Sequence, residues 1–235
     1  MVVCPVCGTQ NDEYAIVCGS CKSFIQNRIA NLDFFDTVWK VIESPRRAFH
    51  DITLAEHKNY SLLLFALFGI SLSLTGFWYF RLGPRFDSLL DLLAAAAGSG
   101  VVIGIVAAFL FTAAFEVLAR IFGGKGTVRS SLGILAYATT PVSLSLVLIL
   151  PIELLTFGMF LFTRNPDPYT VKPGMYLTLI GTDCAVGIWA VVLGIIGAAV
   201  SKQMSAIKAI VAITVAAGIS LGILFLSAAY VLGRL

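Results

Sequence analysis

Polar residues crowd into the first 58 positions of the chain and then almost vanish from five long stretches. Residues 60–80, "YSLLLFALFGISLSLTGFWYF", carry no charge and finish in an aromatic cluster. Roughly 20 consecutive apolar residues cross a hydrocarbon core about 30 Å thick, and Trp and Tyr gather where such a span meets water. Four further apolar stretches run from about 92 to 118, from near 131, from about 175 to 200 and from about 209 to 232. They are continuous and not alternating, which predicts helices and not the strands of a closed barrel. The third stretch is too long. From Ser131 to Thr163 it would make about 50 Å of helix at 1.5 Å per residue, and Pro141 and Pro151 each remove a backbone donor inside it. A kinked or broken span is expected there, or a separate interfacial or re-entrant piece at "PIELLTFGMFLF".

Ahead of the first span the period changes. In "NLDFFDTVWKVIESPRRAFHDI", Phe35, Val38, Trp39 and Ile42 recur at helical spacing, with Asp36, Lys40 and Glu43 elsewhere and Asp33 at the N-cap position. Ser44-Pro45 then opens a second short helix bearing Arg46 and Arg47. These helices either pack on protein or lie in the headgroup layer, aromatic residues down and basic residues toward lipid phosphate. The expected organisation is a module over 1–30, amphipathic juxtamembrane helices over 31–58 and a five-span domain over 59–235. The fold class is thus an all-α polytopic membrane protein.

Composition agrees: 58% of residues are hydrophobic, 12% are charged, and the mean hydropathy is +0.92. A net charge of +3 is too small to argue for nucleic acid, so none is expected as a partner. The distribution of Lys and Arg is more informative. Eleven fall in the N-terminal arm and in the second and fourth inter-span loops, against five in the remaining flanks. The positive-inside rule then puts the N-terminus in the cytoplasm and the C-terminus outside, in the cell membrane. No secretory leader is expected at "MVVCPVCGTQ".

Four of the five cysteines, Cys4, Cys7, Cys18 and Cys21, stand in the first 21 residues as two Cys-x2-Cys pairs. Each pair can fold into a knuckle presenting two thiolates, and two knuckles complete the tetrahedral four-sulfur shell of structural zinc. Gly8, directly after Cys7, suits the positive φ such a knuckle needs. A reducing cytoplasm disfavours disulfides as the rival pairing. A closed four-thiolate shell has no open position, so this Zn2+ is expected to be structural, and binding it would supply most of the module's folding free energy.

The segment "FGGKGTVRSSLGILAYATTP" has a Gly-Gly turn followed by Lys125, then Tyr137-x-x-x-Pro141 within the third span. With the five-span layout, this resembles the Yip (Ypt-interacting) domain membrane proteins over roughly residues 35–232, and especially their prokaryotic members, several of which carry an N-terminal zinc ribbon. Ala136 stands where the family has glycine in Gly-Tyr-x-x-x-Pro. The family's Asp-Leu-Tyr-Gly-Pro before the first span is absent, so the resemblance does not imply small-GTPase binding. A phosphate-binding loop is excluded, because the Gly-x4-Gly-Lys-Ser/Thr spacing is missing.

Lys125 and Arg129, like Arg46 and Arg47, are candidates for lipid headgroup contact. Glu116 and Arg120, four apart, are expected to pair. Glu153 and Asp183 are costlier, since intramembrane carboxylates face bundle interiors or cavities. Asp183 has two readings: a functional group, or an architectural carboxyl bonded to Thr182, Tyr137 or a carbonyl. The Gly100/Gly104 and Gly218/Gly222 pairs are expected to be helix-packing faces. His50 and His57 both precede the first span and only one Asp lies within a span, which leaves no hydrolase triad or aspartate dyad. No enzyme is expected. The sequence favours a membrane adaptor that displays the ribbon to a cytoplasmic protein partner, a homo-oligomer staying open. The alternative is a small transporter or channel whose polar path uses Asp183, Glu153, Tyr137 and the kink at Pro141.

Overall fold

The computed structural model describes residues 1–12, 14–25, 29 and 31–233. Arg28 and Arg234, both part of the Lys/Arg count, lie outside the described residues. The first 25 residues hold a two-stranded antiparallel sheet, β1 (Val2–Val3) and β2 (Gln10–Asn11), with a second bridge between Val17 and Phe24. Two short helices follow, α1 (Phe34–Glu43) and α2 (Pro45–Leu54). Asp33 caps α1 by accepting the Asp36 amide at 2.9 Å, which satisfies one of the four orphan donors at a helix start. The juxtamembrane pair divides its faces. Val41, Phe49 and Ile52 are buried in the main core, while Phe35, Trp39 and Ile42 are exposed.

Five segments are long and apolar enough to cross a membrane. They are α3 (Ser61–Tyr79), α4 (Leu89–Ile121), a composite third span, α9 (Pro173–Lys202) and α10 (Ala206–Val231). The third span is broken, as its prolines require. It consists of α5 (Val128–Ala138), α6 (Thr140–Leu148), α7 (Leu150–Phe157) and a 3-10 turn over Gly158–Phe162. Pro141 cannot donate to the carbonyl of Tyr137; the Thr140 hydroxyl does so instead, at 2.6 Å, so that acceptor is not left orphaned in hydrocarbon. A short helix, α8 (Pro168–Val171), leads into α9.

α3 and α4 meet backbone to backbone. Gly69, Gly100 and Gly104 form the seam, where a Cβ on Gly100 would fall 2.5 Å from Ile70 Cα and one on Gly104 only 2.8 Å from the Phe65 carbonyl carbon. The expected packing face at Gly100/Gly104 is present. The one at Gly218/Gly222 is not: among the described residues, nothing approaches within 4 Å of where their side chains would begin. The core falls into two main clusters. One joins α1 and α2 to Phe65, Phe115, Ile134, Tyr137 and Leu193; the other gathers Leu74, Leu92, Phe157, Phe162, Tyr176 and Leu179.

Two sets of loops separate by contact. At one end, the turn after α4 is strapped to the end of α9 by the Lys125 amide bonding the Lys202 carbonyl at 3.1 Å. At the other, Arg81 reaches the Leu161 carbonyl at 3.2 Å and Asp167 at 3.7 Å, joining the first and third inter-span loops.

Candidate functional site

The two cysteine knuckles are built alike. The Gly8 amide bonds the Cys4 carbonyl at 3.0 Å, and the Lys22 amide bonds the Cys18 carbonyl at 3.1 Å. The residue after each second cysteine takes positive φ, +72° at Gly8 and +59° at Lys22. The glycine was legible in the sequence; the strained lysine was not, since non-glycine residues seldom enter this region. All four Sγ atoms lie within 4.8 Å of one another, with Cys4–Cys21 at 3.6 Å and Cys7–Cys18 at 3.5 Å. Tetrahedral coordination at about 2.3 Å per sulfur needs sulfurs about 3.8 Å apart, so the donor set fits a metal such as zinc. Ser23 Oγ, 3.2 Å from Cys4 Sγ, together with backbone amides, holds the Cys4 thiol down to about 6. That favours the thiolate a metal requires.

The module is seated on the bundle. From the loop between the knuckles, the Tyr14 hydroxyl donates to the Val200 carbonyl near the end of α9, and Gln203 Nε2 lies 3.4 Å from Asp12 Oδ1. The Tyr14 ring also lies 5.3 Å from that of His50 on α2. His57 lies 3.4 Å from Arg129. Both histidines therefore take part in inter-element contacts.

At the same end a polar network lies inside the bundle. Glu116 is buried and pairs with Arg120 at 3.3 Å as the spacing implied, but its shorter bonds, both 2.7 Å, go to Ser131 and Lys202. Lys202 is 1% exposed. This lysine, counted in the Lys/Arg partition, is thus an interior ion-pair partner; the only sequence signal was a lysine at a span's end, and its partner is 86 positions away. Lys125, Arg129, Arg46 and Arg47 are exposed as a headgroup contact would require.

The four intramembrane candidates separate. Tyr137 is fully buried and its hydroxyl donates to the Asn59 carbonyl at 3.1 Å, which fixes the start of α3 to α5. Neither it nor Pro141 lines the cavity described next. Glu153 and Asp183 do come together, 30 positions apart in sequence, with their carboxyls in hydrogen-bonding reach. The architectural partners expected for Asp183 are engaged elsewhere: Thr182 donates to Thr178 and Tyr137 to Asn59. Both carboxyls border a cavity of about 460 Å³ at the junction of the two main clusters, among α3, α4, α6, α9 and α10.

These features define an integral membrane protein of five apolar helical spans with a small four-cysteine module, able to hold a metal ion, at one end. The model of the Yip1 domain matches residues 39–229, and the chain belongs to that family. No curated protein and no solved structure matches it.

Proposed function

We propose that this is a non-catalytic membrane adaptor whose four cysteines hold one structural zinc and whose ribbon is displayed to a protein partner in the cytoplasm. The observation carrying this reading is the ribbon's two-sidedness. Tyr14 and Asp12 face the bundle, while Val6 and Phe24 are 72% and 74% exposed. A module folded by metal and braced at its base is a rigid surface, and these two apolar side chains on it are free for a partner to cover. The side of the membrane rests on the Lys/Arg partition, supported by the shared end of the ribbon, the α4–α5 turn and the α9 terminus. The test is photo-crosslinking in host membranes from a photoreactive residue at position 24 of the full chain, with reporter fusions at both termini. A partner captured from position 24, absent from a probe at position 164 and lost on Val6→Asp with zinc retained, is the expected result. Identical capture from both positions, or termini reporting the same side, would overturn it.

A second reading, transport of a small solute or ion, draws on the cavity beside Glu153 and Asp183. It requires flux in liposomes that Asp183→Asn abolishes without loss of stability.

A further inference from the structure

The cavity's lining is chemically lopsided. Most of it is aliphatic or aromatic, including Phe68, Phe111 and Trp78; its ionisable groups are Glu153, Asp183 and the thiol of Cys184, with no Lys, Arg or His. Among the described residues, no hydroxyl, amide or basic side chain donates to either carboxyl. Ser220 also borders the space, is 4% exposed, and its hydroxyl has no hydrogen-bond partner. Buried polar atoms are satisfied in nearly all cases, so an unpartnered hydroxyl at a cavity wall points to a group that fills the cavity. The volume falls within the roughly 300–1,000 Å³ of small-molecule sites.

We propose that this cavity is a binding site for a lipophilic organic monocation: one positive centre on a bulky apolar body. The carboxyl pair supplies the charge complement, and the aliphatic and aromatic wall, in which the Trp78 ring already carries Arg81 at 5.5 Å, covers the body. A lipid acyl chain would use the wall but leave the carboxyl pair without a countercharge. A hard divalent cation needs six or so oxygen ligands, which this mostly apolar lining does not offer. An anion would face two carboxyls with no basic residue to answer it. The inference uses the same cavity as the transport reading but does not need flux, since a bound and untransported ligand satisfies it.

The experiment measures equilibrium binding of radiolabelled tetraphenylphosphonium to the purified full chain in detergent. Tetraphenylborate, of the same shape and opposite charge, serves as competitor. Three variants accompany the wild type, each checked by thermal melting: Asp183→Asn, Glu153→Gln and Gly187→Leu. Gly187 borders the cavity, and a Cβ there would meet nothing within 4 Å, so the leucine fills the space without straining the fold. Saturable binding that tetraphenylborate does not displace is expected. It should weaken at least about tenfold in either carboxyl variant, as for the loss of a close charge contact, and also in Gly187→Leu. Absence of saturable binding, equal competition by tetraphenylborate, or unchanged affinity in Gly187→Leu would overturn the proposal. If a carboxyl variant fails to fold, the glycine variant and the borate competition still decide it. Binding without liposome flux would sink the transport reading and leave this one standing.

Discussion

Gly104→Ala tests whether the α3–α4 seam holds the bundle as the backbone contact implies. The added methyl would meet the carbonyl oxygen of Phe65, lie 2.8 Å from its carbon and 2.9 Å from Ala66 Cα, where ordinary contact begins at 3.4 Å. The obstacle is helix backbone, so no rotamer change relieves it; the helices must part, and Gly69 and Gly100 lose contact as well. Overpacking a tight interior costs about 1–3 kcal/mol, and this site belongs at the upper end. Alanine recovers up to about 1 kcal/mol of helix propensity, leaving a net loss of about 2 kcal/mol. Gly98→Ala is the matched control: it lies on the same helix, is exposed, and a Cβ there meets nothing within 4 Å, so propensity alone should stabilise it by up to about 1 kcal/mol. Reversible SDS unfolding in mixed micelles, followed by circular dichroism, measures both. A gap between the variants smaller than about 1 kcal/mol would refute the reasoning.

Lys202→Met should destabilise by about 3 kcal/mol, because the buried Glu116 carboxylate keeps only the exposed Arg120 as countercharge, and Lys202→Met with Glu116→Gln should recover most of the loss; additivity in the same unfolding assay would contradict a direct pair. Purified protein should contain about one equivalent of zinc, and Cys4→Ser should lose it and open residues 1–25 to protease; less than about half an equivalent by elemental analysis would refute the four-thiolate site. Burial, and secondarily the nearby Arg129 charge, holds the Lys58 ammonium down to about 8 from 10.5. The unfolded chain therefore binds more protons between those values, so stability should climb as pH rises through that window, and Lys58→Met should flatten the climb.

The four cysteine positions, the five spans, the break in the third and the Asp33 cap were all legible in sequence. Each depends on local spacing: ligand intervals, run length, a missing proline donor or a side chain three residues from an amide. What sequence alone left open depends on which helix faces which. Gly100/Gly104 and Gly218/Gly222 read identically as small-residue pairs, yet only the first meets another helix. Glu116 had an obvious partner four residues on, but burial brought Lys202 to 2.7 Å, because a charge removed from water must be answered by whatever charge the fold supplies. Glu153 and Asp183, 30 positions apart, are likewise brought together only by the fold, although as like groups they do not answer one another's charge. Periodicity fixes the face of a helix, but only packed tertiary structure decides what stands opposite that face, and so where the bundle closes and where it leaves a space.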